Sequence, residues 1–76
     1  MLEKRSVTYA ELRRECLQAV QHWPGCETVS AITIIRDNRG AFSVLITIYG
    51  SANPKLANRA MRAVEREKRR QFRLIE

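Results

Sequence analysis

The sequence predicts a single small α+β domain. Its elements run helix–strand–strand–helix (αββα), as an antiparallel two-stranded hairpin with both helices packed on one face. Three observations predict it. A capping signature opens a helical apolar stripe near the N-terminus. Two β-branched runs flank Asp37-Asn38-Arg39-Gly40, and Asn53-Pro54 opens a strongly amphipathic C-terminal segment. One domain, spanning 1–76, fits the length. A chain this short buries about 60% of the surface its unfolded form exposes, so its core is thin. Small folds commonly add a disulfide, a metal or a partner chain.

The first six residues are polar and expected to be loose. Thr8-Tyr9-Ala10-Glu11 has capping-box spacing, with Val7 and Leu12 placed for a hydrophobic staple. The first helix is expected over about 9–22. Its apolar stripe is Leu12, Cys16, Ala19 and Val20, continued by Trp23, and Pro24-Gly25 ends it.

The two β-branched runs, about 29–36 and about 41–49, read as strands. Phe42, Val44, Ile46 and Ile48 share one face of the second, and Ile32 and Ile34 share one face of the first. A slip of one residue flips the face, so these sets meet only if even residues pair with even residues. That needs an odd-length loop, which Asn38-Arg39-Gly40 supplies as a type I turn with Gly40 left-handed. Val44 then lies opposite Ile34, and Ile46 opposite Ile32.

The other face of the hairpin holds Val29, Ala31, Ile35, Leu45 and Tyr49 among Thr33, Ser43 and Thr47. It is too apolar to rest easily in water, and a two-stranded hairpin has two open edges. A homodimer is therefore expected, with those five apolar residues as its candidate self-association surface. Hairpins would join edge to edge into four strands, or stack their outer faces.

Asn53 is a good N-cap and Pro54 suits the first helical position, opening a second helix over about 54–73. Leu56, Ala57, Ala60, Met61 and Val64 face inward. Lys55, Arg59, Arg62, Arg66, Arg69 and Arg73 recur every three or four residues on the opposite side, within roughly 80° of arc. Past Val64 the inward stripe weakens at Lys68 and Gln71, so Phe72, Leu74 and Ile75 are expected to fold back or to meet a partner.

Charge follows the same division. The chain carries a net +6, and residues 51–76 hold eight basic and three acidic side chains, so +5 of it lies there. Such segregation points to an acidic partner, nucleic acid or acidic protein. Arginine suits phosphate because its planar fork binds in two places. Glu65 is placed to pair with Arg62 or Arg69 along the helix.

Chemistry-bearing residues are sparse. His22, the one histidine, sits near a helix C-terminus, where a cation is favourable. Cys16, His22 and Cys26 fall one ligand short of a structural zinc site. The acidic residues are scattered and no glycine-rich phosphate loop is present. No enzyme activity, cofactor or metal is therefore expected. Two cysteines make no disulfide framework, and Cys16 reads as a reduced core thiol. No apolar run approaches the ~20 residues that cross a bilayer. No h-region follows the opening charges. A cytoplasmic protein without a membrane partner is expected. The GxxG and aromatic RNP marks of common RNA modules are missing, and no family is assigned. The sequence does not identify a ligand. It supports a non-catalytic homodimeric binding or adaptor module, with nucleic-acid binding through the arginine face as the alternative.

Overall fold

Thr8 does cap the first helix. In the computed structural model, which describes residues 4–36 and 41–75, its hydroxyl accepts from the Glu11 N–H at 3.2 Å. The Glu11 carboxylate accepts from the Thr8 N–H at 3.2 Å in return. Six elements follow one another: β1 (Arg5–Val7), α1 (Tyr9–Gln21), β2 (Ala31–Arg36), β3 (Phe42–Ile48), α2 (Pro54–Gln71) and β4 (Phe72–Leu74). The protein is thus a small α+β fold with two helices and short strands. Two strands absent from the expected αββα order flank it.

β2 and β3 form the antiparallel hairpin in the expected even-to-even register, with Ile34 opposite Val44 and Ile32 opposite Ile46. The turn proposed at Asn38-Arg39-Gly40 lies outside the described residues. Ile32, Ile34, Phe42, Val44 and Ile46 are buried in one cluster with Leu12, Cys16 and Val20 of α1 and Ala57, Ala60, Met61 and Val64 of α2. α1 lies against β2 and α2 against β3, and the helices touch each other.

Beyond Ile32 the register slips. Ala31 pairs with Ile48, so Thr47 is an extra residue on β3. Such a bulge re-aims the side chains after it. Ile48, expected on the inner face, is 53% exposed as a result.

The strand expected from residue 29 begins at Ala31. Residues 26–29 instead form turns, with Val29 N–H bonded to the Cys26 carbonyl at 3.2 Å. Gln21 Nε2 holds the Val29 carbonyl at 2.8 Å. Cys26 and Val29 drop fully into the core, while Trp23 turns outward. On the far side of the hairpin, Gly50 adopts φ +64, and a Cβ there would fall 2.5 Å from the Thr28 carbonyl oxygen. The chain passes so close because the Thr28 hydroxyl donates to the Tyr49 carbonyl and accepts the Ser51 N–H, both at 3.1 Å.

Asn53 caps α2 by accepting the Lys55 and Leu56 N–H groups at 2.9 and 3.3 Å. The helix stops at Gln71, because Phe72 takes extended geometry (φ −129, ψ 150). β4 then runs parallel to β1, pairing Arg5 with Phe72, Ser6 with Arg73 and Val7 with Leu74. Of the six N-terminal residues expected to be loose, Arg5 and Ser6 are therefore held by the C-terminal strand, and residues 1–3 lie outside the described ones. Val7, Phe72 and Leu74 bury their side chains in the core. Lys68 bridges this end, with its stem buried and its Nζ 3.9 Å from Glu15 of α1 and 5.5 Å from the Phe72 ring centroid. Among the described residues, no helix is long and apolar enough to cross a membrane.

Candidate nucleic-acid interface

α2 supplies the cationic face, since its 18 residues extend about 27 Å with the inward side fixed by Ala57, Ala60, Met61 and Val64. Lys55, Arg59, Arg62 and Arg66 stand exposed on the outward side. Among the described residues none of the four makes an ion pair; the ion pair found there is Lys68–Glu15. Their charge faces solvent.

Arg69 differs from these four. Its Nε donates to the Phe42 carbonyl at 2.7 Å. The guanidinium is therefore pinned against the end of β3 through its Nε. Arg73 leaves the row altogether. It lies on β4 between buried Phe72 and Leu74, since the helix ends two residues earlier. Among the described residues Glu65 forms no ion pair with Arg62 or Arg69, the pairing its spacing suggested. Its Oε1 accepts the Val44 N–H at 2.7 Å.

The fold adds two cations that sequence reasoning missed. Lys4 and Arg70 join Arg62, Glu65, Arg66 and Arg69 around an open cleft of about 540 Å³. A second hollow of about 600 Å³ is lined by Lys55, Asn58, Arg59, Arg62, Ala63 and Arg66. Arg62 and Arg66 belong to both, so the two form one track along the helix. Lys4 reaches it because β1 is held beside β4, a pairing signalled only by the alternation of Phe72 and Leu74. Such a surface can hold anions by charge and by bidentate guanidinium bonds.

Proton-transfer and metal chemistry have less to build on. Among the described residues no three His, Cys, Asp or Glu side chains gather to hold a metal. His22 is exposed, and both cysteines are free and buried. Burial pushes the Cys16 thiol up to about 12, with Lys68 opposing the rise only in part. Cys26 is raised as well, by burial and then by Glu27. A thiol held protonated is a poor nucleophile.

The candidate self-association surface is partly redrawn. Ile35 and Leu45 are 48% and 53% exposed, and Ala31 is half-buried. Val29 is removed from it by full burial. Tyr49 packs on the core, and its hydroxyl donates to Asn58 Oδ1 at 2.8 Å. Ile48 takes their place through the bulge.

Both hairpin edges carry side chains from the helices. Glu65 and Arg69 occupy the β3 edge at Val44 and Phe42. Farther along it, Asn58, Met61 and Arg62 line a cleft of about 320 Å³ with Val44, Leu45 and Tyr49. On the β2 edge, the Ile34 N–H points at the Tyr9 hydroxyl, 3.5 Å away.

No family model matches this chain, and neither the characterised proteins nor the solved structures compared with it gave a match.

Proposed function

We propose that this protein is a non-catalytic binding module that grips a nucleic-acid backbone with the outward face of α2. The supporting observation is the row Lys55, Arg59, Arg62 and Arg66, exposed and unpaired among the described residues. Successive members are about 5 Å apart along the helix axis, so the row follows a phosphate chain rather than a single anion. Among the described residues no aromatic side chain lines either hollow of the track. Contacts there fall to cationic groups that suit the phosphate backbone, which gives sequence-tolerant, salt-sensitive affinity. The test is retention of the protein on a random-sequence duplex and on RNA. Binding should fall steeply as salt rises, and Arg62→Glu with Arg66→Glu should abolish it. Unchanged binding in that double variant defeats the reading. A nuclease-treated pull-down that still recovers a partner assigns the face to an acidic protein instead.

A second reading, a homodimer, is favoured by the exposed Ile35, Leu45 and Ile48 on the outer hairpin face. Edge-to-edge extension to four strands and face-to-face stacking are its two geometries. Light scattering tests it, and a mass that stays at 8.8 kDa at every concentration defeats it.

A further inference from the structure

We propose that the cleft between the end of β3 and α2 seats one unpaired base of the strand whose phosphates lie along the arginine track. Single-stranded nucleic acid is then the partner the surface fits. The proposal rests on the nucleic-acid reading and names the substrate class of that site.

The lining argues first. The two hollows of the track are walled mainly by cations. The third cleft, of about 320 Å³, is mixed. Leu45 and Met61 are apolar, Tyr49 brings an aromatic ring, and Asn58 and Arg62 bring hydrogen-bonding groups. Ligand sites run from about 300 to about 1,000 Å³ and combine apolar walls with a few polar groups. At the lower end of that range, the cleft suits one flat heterocycle rather than a run of them. A base offers what these walls match: a π-face for the ring, and a polar edge for an amide or guanidinium.

Tyr49 is held ready for it. The residue is half-buried, packs against the core, and donates its hydroxyl to Asn58 Oδ1 at 2.8 Å. The far end of the ring is therefore tied to α2, and stacking on it costs little further ordering. Met61, three residues on from Asn58, adds a polarizable thioether to the same cleft.

Position supplies the link to the phosphates. Arg62 borders the third cleft and both hollows, and Asn58 borders the third cleft and the second hollow. A backbone that follows Lys55, Arg59, Arg62 and Arg66 thus passes beside the cleft at Arg62. In a duplex the bases face one another, and filling the cleft would require one to be turned out of the stack at the cost of its pairing. An unpaired nucleotide meets no such cost.

The β3 edge argues against the rival occupant, an added peptide strand. Glu65 and Arg69 cover that edge at Val44 and Phe42. The bulge at Thr47 bends the strand beyond Ile46. The stretch between them, from the Val44 carbonyl to Ile46, is one strand repeat long. An added strand draws its affinity from a longer ladder of main-chain bonds, whereas a base needs none.

The test compares three ligands of the full chain at one fixed salt concentration: a short oligothymidylate, an abasic chain with the same number of phosphates, and a duplex of the same length. The oligothymidylate should bind about tenfold tighter than the abasic chain, the worth of one stacked base. Tyr49→Leu keeps apolar bulk against the core and removes the π-face. It should bring oligothymidylate affinity down to near that of the abasic chain, with abasic and duplex affinities unchanged. Tyr49→Phe, which keeps the ring, should retain most of the gap. Helical circular dichroism checks that each variant folds, and the comparison on the natural chain decides the matter should Tyr49→Leu unfold. Equal affinity for the two single chains overturns the base seat and spares the backbone reading. A gap that survives in folded Tyr49→Leu overturns it too, by placing the bases elsewhere. Binding to none of the three ligands defeats both.

Discussion

The carboxylate of Glu65 accepts the backbone N–H of Val44 at 2.7 Å, so an α2 side chain does for the outer edge of β3 what a third strand would do. One turn on, Arg69 repeats the device at the Phe42 carbonyl. Charged partners make such bonds roughly twice as strong as neutral ones. The pair therefore shields the edge and orients α2 on the hairpin together. Glu65→Ala should lower unfolding stability by about 1.5–3 kcal/mol, and Glu65→Gln, which keeps an acceptor, by about half as much. Urea denaturation measures both. Equal stability in all three proteins would mean that the edge does not depend on this carboxylate.

β4 holds β1 in place, and Phe72 is the anchor. Its ring is buried, with Arg5 5.2 Å and Lys68 5.5 Å from the centroid. Phe72→Ala should cost about 3 kcal/mol or more. It should also release the N-terminus. The Ile75 N–H, bonded to the Val7 carbonyl at 3.1 Å, should lose its protection from hydrogen exchange before the β2–β3 amides do. Loss of protection everywhere at once would contradict a separable end.

Cys16 makes stability fall on the alkaline side. Burial raises its folded pKa to about 12, above the value it has once unfolded. The protonated thiol is therefore the form the fold prefers. Its contribution is complete at neutral pH and is lost as pH climbs from about 9 towards about 12. Cys16→Ala should flatten that decline while lowering stability at pH 7 through the small void it leaves. The thiol should resist alkylation at pH 8 in the folded chain and react on unfolding. Rapid native labelling would contradict its burial.

Glu11 acts in the opposite direction. Its hydrogen bonds to Thr8 are the leading cause of its lowered pKa. A folded value below the unfolded one gives stability present above the ordinary carboxylate range and lost as pH falls through the lowered value. Thr8→Ala removes the box, so its acid denaturation curve should be shallower than that of the natural chain. Parallel curves would show that the cap contributes nothing to the acid response.

The parts legible in the sequence were those set by local rules. Thr8 and Asn53 announce their helices because capping needs an acceptor at fixed spacing. Parity confines the hairpin to even-to-even pairings, since only these bury Ile32, Ile34, Val44 and Ile46 together, and the three-residue loop length selects Ile34 opposite Val44 among them. The opposite polarity of Ala57, Ala60 and Met61 against Arg59, Arg62 and Arg66 likewise follows from helical period. What escaped depends on distant contacts. β1 and β4 are three residues each, below the window in which alternation is readable, and they come from opposite ends of the chain. Without that pairing, the helical period carries on to Arg73, and nothing local places Lys4 beside α2. The bulge at Thr47 has no sequence mark, so Ile48 was placed on the wrong face. Val29 resembles a strand residue, but Gln21 ties its carbonyl into a turn. Lys68 reads as a break in the apolar stripe, yet its long stem can be buried while Glu15 meets its charge.

The central claim is that α2 offers unpaired cations to a phosphate backbone, and its most direct test is the salt dependence of duplex binding. Four neutralised phosphates predict log Kd rising with log salt at a slope of about 3.6. Arg62→Ala and Arg66→Ala should each reduce that slope by about 0.9, by the same amount on unrelated sequences. A slope near zero, or one that neither substitution changes, would contradict the account.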